Sequence, residues 1–460
     1  MIDRASDPAF GADQPAEGAA GPSPPTVLPA SARRRLFFFL ALLVVLLAFG
    51  SPSGGLFELA LTLLLKNKLN LSASDVSDFR AIIALPIYAS VVFGLIRDRW
   101  TPSFMGDRGL ILFFGSITVL LYVGLTFLPV TYTTLLCSVL LLRVAFRMVS
   151  STENGMLASL GQQHAMSGQI SSLWNVLLSL IGVAGLWLAG AGSDLLEQVE
   201  SDRAFHMLFL ACAAVVFGVV IYAWLRPAVV FDNISSDRGS GIHPLEDIRR
   251  LAKHWPVYPA FLIMFLWTFA PGSDTALLYH LQKEFHATDA AWGEWSAIFA
   301  ASFIPTTLVF GVLSTRMSLR RLLVWGTLIG IPQMIPLLAI RSMNDALLAA
   351  LAMGLMGGIA TTSYLALIIR SCPPGLEATT LMMSAALNVA VERAGDMLGT
   401  RLYNRFGGFE ACVAAITIVY ALILPALLLV PTQLIATPDN VTGVDDAPQR
   451  SWAAYSLVGN

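Results

Sequence analysis

Twelve apolar runs, most of them about 20 residues long, take up most of the chain. They lie at roughly 36–65, 78–97, 109–129, 131–150, 166–191, 204–225, 257–282, 290–315, 321–340, 346–370, 378–401 and 409–431. No water reaches backbone N–H and C=O groups in a bilayer core, so each run must satisfy its own hydrogen bonds as a helix. Composition agrees. Of 460 residues, 56% are hydrophobic and 13% are charged, where an ordinary soluble chain carries about 25% charged residues. The expected fold class is all-α integral membrane, with twelve transmembrane helices in two six-helix halves. The first run is too long for one straight span. It contains Gly50 to Gly55, "GSPSGG", where a kink or local unwinding is expected.

Charge and cysteine usage exclude several classes. A net charge of -2 argues against nucleic acid as a partner. Cys137, Cys212, Cys372 and Cys412 are scattered, with no metal or redox spacing. No Walker pattern and no nucleophile elbow occurs, which counts against ATP-driven pumping and hydrolysis. No cofactor and no metal is expected.

The Lys and Arg distribution sets the orientation. Arg33, Arg34, Arg35, Arg97, Arg99, Arg108, Arg316, Arg320, Arg321 and Arg370 fall on one side, with Arg226, Arg238, Arg249, Arg250 and Lys253 in the central loop. Fewer cations fall opposite: Lys66, Lys68, Arg203, Lys283, Arg341, Arg401 and Arg405. The basic side is expected to be cytoplasmic, with both termini there, in a multi-pass protein of the cell (inner) membrane. The expected divisions are a disordered tail at 1–32, a six-helix half at 33–225, a linker at 226–256, a second half at 257–431 and a disordered tail at 432–460. In the linker, Ile242, Leu245, Ile248, Leu251 and Trp255 recur at helical spacing, which predicts a surface helix.

A repeat relates the halves. "GLIRDRW" after the second run carries Gly94, Asp98 and Arg99. "GVLSTRM" after the eighth carries Gly311, Thr315 and Arg316. Both read Gly-x-x-x-[Asp/Thr]-Arg, and the second copy lacks the carboxylate. The glycine lets helices approach closely, and the acid can meet a cation or a helix N-terminus. This placement resembles the major facilitator superfamily over roughly 33–431. Leu63 to Asp98, "PGSDTALLYHLQKEF" and Cys372 to Ala390 resemble the folate–biopterin transporters within it. Two stretches depart from that family. Ser90 and Val91 stand where it has Lys-Pro, and Glu377-Ala378-Thr379 stands for Glu-Gly-Thr.

The resemblance implies a central cavity lined by spans one, four, seven and ten. Ionisable groups cost roughly 2.5–3.5 kcal/mol at a helix centre on insertion scales, so they should face that cavity or one another. The candidates are Glu58 in span one, Arg143 and Arg147 in span four, and Asp274 and Tyr279 in span seven. Ser384, Asn388, Glu392 and Asp396 form a stripe in span eleven. Arg143 matches a superfamily position that assists proton coupling. Asp274 follows Pro271 and Gly272, so two roles stay open for it: a protonatable cavity group, or a residue of the helix bend. Gly94, Asp98 and Arg99 are the expected gating motif.

The resulting expectation is a secondary transporter moving a small organic solute, folate- or pterin-like by resemblance, through alternating access. Protons are the candidate coupling ion (symport), the lipid bilayer is the surrounding partner, and a monomer is expected. The competing reading is a non-transporting assembly factor for pigment–protein complexes on the same fold. Reporter fusions test the topology. Fusions at Ser240 and Glu197 should report opposite sides of the membrane; the same side for both would rule out the arrangement of six spans on each side of the linker.

Overall fold

The computed structural model describes the backbone of residues 26–54, 73–100, 105–197, 201–231, 244–406 and 408–441, with isolated residues between 55 and 71. All the regular structure among these residues is helical. Nine helices among the described residues are long and apolar enough to cross a bilayer. The three remaining runs also carry helix, and each departs for a physical reason. Ala30–Gly50 stops at the "GSPSGG" break, where Ser51 turns extended. The seventh is split into Val257–Thr268 and Thr275–Phe285. The eleventh, Glu377–Phe406, is continuous but carries Glu392, Arg393 and Asp396 within it.

Two sets of helices pack internally and then against each other. In the first set, Gly106–Phe127 packs on Ser201–Leu225 and on Tyr132–Gln163. In the second, Asp289–Leu313 and Leu319–Gly330 both pack on Met343–Ser371. Between the sets, Ser167–Glu197 lies along Asp289–Leu313, and Glu377–Phe406 lies against Ser90–Leu95 and Tyr132–Gln163. Side chains such as Phe127, Leu120 and Leu428 point outward, as a lipid-facing surface requires.

The breaks are held in place by specific contacts. Where the first helix ends, the Gly50 carbonyl accepts a hydrogen bond of 2.9 Å from the fully buried Tyr122 hydroxyl. In the seventh span, Gly272 has φ +94°, a conformation that favours glycine. Gly399 of the eleventh span packs on this bend so closely that a Cβ there would overlap the Gly272 backbone nitrogen. The linker helix forms as Pro244–Lys253. Residues 432–441, expected to be disordered, are folded as far as they are described. Thr432–Ile435 is a short helix, and Asp439 is fully buried.

The two glycine environments make a testable contrast. Gly399→Ala forces overpacking against backbone and should cost about 1–3 kcal/mol. Gly124 has nothing within 4 Å of an added Cβ, so Gly124→Ala should be neutral or stabilising by up to about 1 kcal/mol. The apparent unfolding temperature of the detergent-solubilised protein should fall for the first variant and hold or rise for the second.

Candidate functional site

Asp98 stands at one end of the bundle, the end that also carries both described termini. A five-residue π-helical segment, Ile96–Trp100, closes the second span and aims the carboxylate across to the other half. There it accepts hydrogen bonds of 2.8 Å from both the backbone N–H and the hydroxyl of Thr379, in the first turn of the eleventh span. An anion at a helix start is favoured by the unpaired N–H groups and by the helix dipole. Asp98 is only 2% exposed, so its charge must be met. Arg97 meets it at 2.9 Å and grips Asp107 through two bonds of 2.8 and 2.9 Å. Gly94 brings the helices together: a Cβ there would lie 2.5 Å from the Thr379 Cα. Arg99 points elsewhere, pairing at 3.0 Å with Asp247 of the linker helix. Gly94 and Asp98 therefore join the halves, while Arg99 ties down the linker.

The same end holds a second polar cluster. Asp439 pairs with Arg370 at 2.8 Å and accepts 2.9 Å from the backbone N–H of Gln169, at the start of the fifth span. Arg370 also donates to Ser167 at 2.7 Å and to the carbonyls of Leu434 and Thr437. Burial raises the Asp439 carboxyl from its ordinary value, and the Arg370 charge and the hydrogen bonds that the carboxylate accepts work against that rise. Sequence reading missed this cluster. In the sequence Arg370 is one more basic-side cation, and Asp439 sits in a polar tail.

In the seventh span, the helix start at Thr275 leaves N–H groups unsatisfied. Asp396 of the eleventh span meets one of them, accepting 3.0 Å from the Thr275 N–H, and also accepts 2.7 Å from the Thr275 hydroxyl. Asp274 occupies the cap position, but its side chain makes no capping bond. It is exposed, and the charges acting on it are Asp396 and Arg393. Glu392, also exposed, feels Arg393, Asp274 and Asp396. Asp274, Glu392, Arg393 and Asp396 thus form one cluster at the break. Asn388 lies one turn away with a buried side-chain oxygen that has no partner. Tyr279 is 57% exposed on the second part of the span. In the tenth span, the Thr361, Thr362 and Ser363 hydroxyls bond carbonyls of their own helix.

Arg143 is not part of the Asp274 cluster. It is buried in the first half and donates 3.2 Å to the Ile83 carbonyl. With Arg147, Ser51, Ser53, Phe146 and Ser150 it lines a cavity of about 80 Å³ against the first-span break. Arg147 has no acidic partner among the described residues, and Arg143 is the charge acting on it. Glu153 is buried, with no arginine among the influences on it. Glu58 lies outside the described residues.

The model of the Major Facilitator Superfamily matches residues 166–400, half of the chain and most of the second set of helices. The chain belongs to the Major Facilitator Superfamily. It is a multi-pass membrane transporter. It is 22% identical over 360 residues to a folate-biopterin transporter of Synechocystis, covering 73% of this chain and 69% of that one. Two solved structures share its fold. The human organic anion transporter MFSD10 aligns with a TM-score of 0.58 at 16% identity, over 88% of this chain and all of its own. The transporter FucP in the outward conformation aligns with a TM-score of 0.64 at 14% identity, over 86% of this chain and 98% of its own.

The Asp396 cap generates a prediction. Asp396→Ala should cost about 1 kcal/mol, a usual figure for a lost N-cap, and should speed amide hydrogen exchange at Thr275–Leu278. Unchanged exchange there would mean that Asp396 does not hold the second part of the span.

Proposed function

We propose that the transporter moves a small organic solute, folate- or pterin-like, by alternating access, with protons as the coupling ion. The observation that carries this reading is the cavity of Arg143 and Arg147 beside a helix break. Two cations on one face of a helix repel each other, and a desolvated cation needs a counter-charge. A carboxylate on the solute would supply one to Arg147. The cavity of about 80 Å³ accommodates such a group, not a whole pterin, so the rest of the solute would occupy space between the halves. The relative described as a folate-biopterin transporter and the neighbour described as an organic anion transporter point the same way.

Asp274 is the proposed proton carrier. It stands at a break, exposed, among two other carboxylates and one arginine. Asp396 already serves the helix start, so Asp274 is left unburdened by a structural bond. Taking up a proton would relieve like-charge repulsion within the cluster, and losing it would restore that repulsion. A proton driven by about 100 mV supplies about 2.3 kcal/mol, enough for roughly 50-fold accumulation.

Uptake into vesicles with and without an imposed pH gradient tests both parts. The protein should accumulate a folate or pterin probe when a gradient is applied. Asp274→Asn keeps the size and hydrogen bonding of the side chain but cannot titrate. It should lose gradient-driven accumulation and keep solute exchange. An unchanged pH profile in this variant would leave Asp274 as a bend residue only. No uptake by the parent protein under any gradient would favour the assembly-factor reading.

A further inference from the structure

The Gly-x-x-x-[Asp/Thr]-Arg repeat is broken at its second copy, where Thr315 replaces the acid. The first copy shows what the acid does. Asp98 reaches the start of a helix in the opposite half, accepts a backbone N–H at 2.8 Å and is neutralised by an arginine at 2.9 Å. If the halves are related by the repeat, the second copy should treat the start of the fifth span in the same way.

That helix start is indeed met by a carboxylate, from elsewhere in the chain. Asp439 Oδ2 accepts from the Gln169 N–H at 2.9 Å, and Asp439 Oδ1 pairs with Arg370 at 2.8 Å. The glycines correspond as well. A Cβ on Gly94 would strike Thr379 of the eleventh span, and a Cβ on Gly311 would lie 2.6 Å from the Ser172 hydroxyl of the fifth. A Cβ on Gly168 would lie 2.8 Å from Asp439 itself. The segment bearing Asp439 is bonded to both halves. Its Asp439 N–H donates to Ser314 of the second half, and its Asn440 N–H donates to Ala165 of the first, each at 2.8 Å.

We propose that residues 431–441 complete the gate at this end of the transporter, with Asp439 standing in for the acid that Thr315 lacks. The two halves are then clamped by two equivalent carboxylate contacts, Asp98 to the eleventh span and Asp439 to the fifth. Opening this end requires both to break. Asp439 leaves the Gln169 amide, the Asn440–Ala165 and Arg370–Ser167 bonds part with it, and residues 431–441 stay with the second half through Ser314 and through the Arg370 bonds to the Leu434 and Thr437 carbonyls. This inference rests on the alternating-access reading.

Ser172→Cys serves as the probe, in a chain whose four native cysteines are replaced. Ser172 is 5% exposed and donates to the Thr307 carbonyl at 2.7 Å, between the fifth and eighth spans just inside the gate. Its labelling by a membrane-impermeant maleimide, applied from the tail-bearing side, reads how often this end opens. Asp439→Ala should speed labelling several-fold. Asp439→Asn, which keeps the shape and one acceptor for the Gln169 amide, should give a smaller rise and carries the test if the alanine variant does not fold. Asp98→Asn serves as the reference and should also speed labelling. Unchanged labelling in the Asp439 variants beside a rise in Asp98→Asn overturns the proposal alone. Unchanged labelling in all of them overturns the gated reading, and the proposal with it.

Discussion

A helix start leaves N–H groups without partners, and inside a membrane protein another group must meet them. Among the described residues, Asp98, Asp439 and Asp396 do so across helix boundaries. Asp98 meets Thr379, Asp439 meets Gln169, and Asp396 meets Thr275. Each contact joins segments far apart in sequence. Two of them lie at the tail-bearing end and hold the halves together there. The third keeps the broken seventh span in register with the eleventh.

These contacts differ from the apolar packing around them. Within each half, helices such as Asp289–Leu313 and Met343–Ser371 pack closely along their length, with small residues at the contact. A Cβ on Gly354 or Gly358 would overlap the Ser302 or Thr306 hydroxyl. Separating such surfaces means losing dispersion contacts along whole helices. A carboxylate on a helix start is local and polar, and water can replace it as the contact opens. The halves also pack closely on each other, Ser167–Glu197 on Asp289–Leu313 and Glu377–Phe406 on Ser90–Leu95, so the carboxylate contacts are the exchangeable part of a junction that is otherwise apolar.

The bends place the polar groups. Tyr122 holds the end of the first helix through the Gly50 carbonyl, and Arg143 and Arg147 line the cavity beside that break. Gly272 and Gly399 hold the seventh-span bend, beside which Asp274 stands exposed. The two charged regions lie in different halves, so Arg143 and Asp274 do not pair as neighbours.

The apolar runs and the repeated Gly-x-x-x-[Asp/Thr]-Arg turn made the helical membrane fold and the contact of Asp98 with a facing helix start legible from sequence alone. Periodicity and hydropathy are local properties, and a bilayer leaves the backbone little choice. The stripe Asn388, Glu392, Asp396 was equally readable, because residues four apart share a helix face. Which member of that stripe caps Thr275, and that Asp274 does not, depended on how the eleventh span lies against the bend. Asp439 shows the limit most clearly. Its tail has the composition of a solvated segment, and nothing in its own residues signals burial. Only the folded bundle, by leaving the Gln169 amide and the Arg370 guanidinium open at one place, decides that this acid belongs there, because a charge is buried where its partners are and not where its neighbours in sequence would put it.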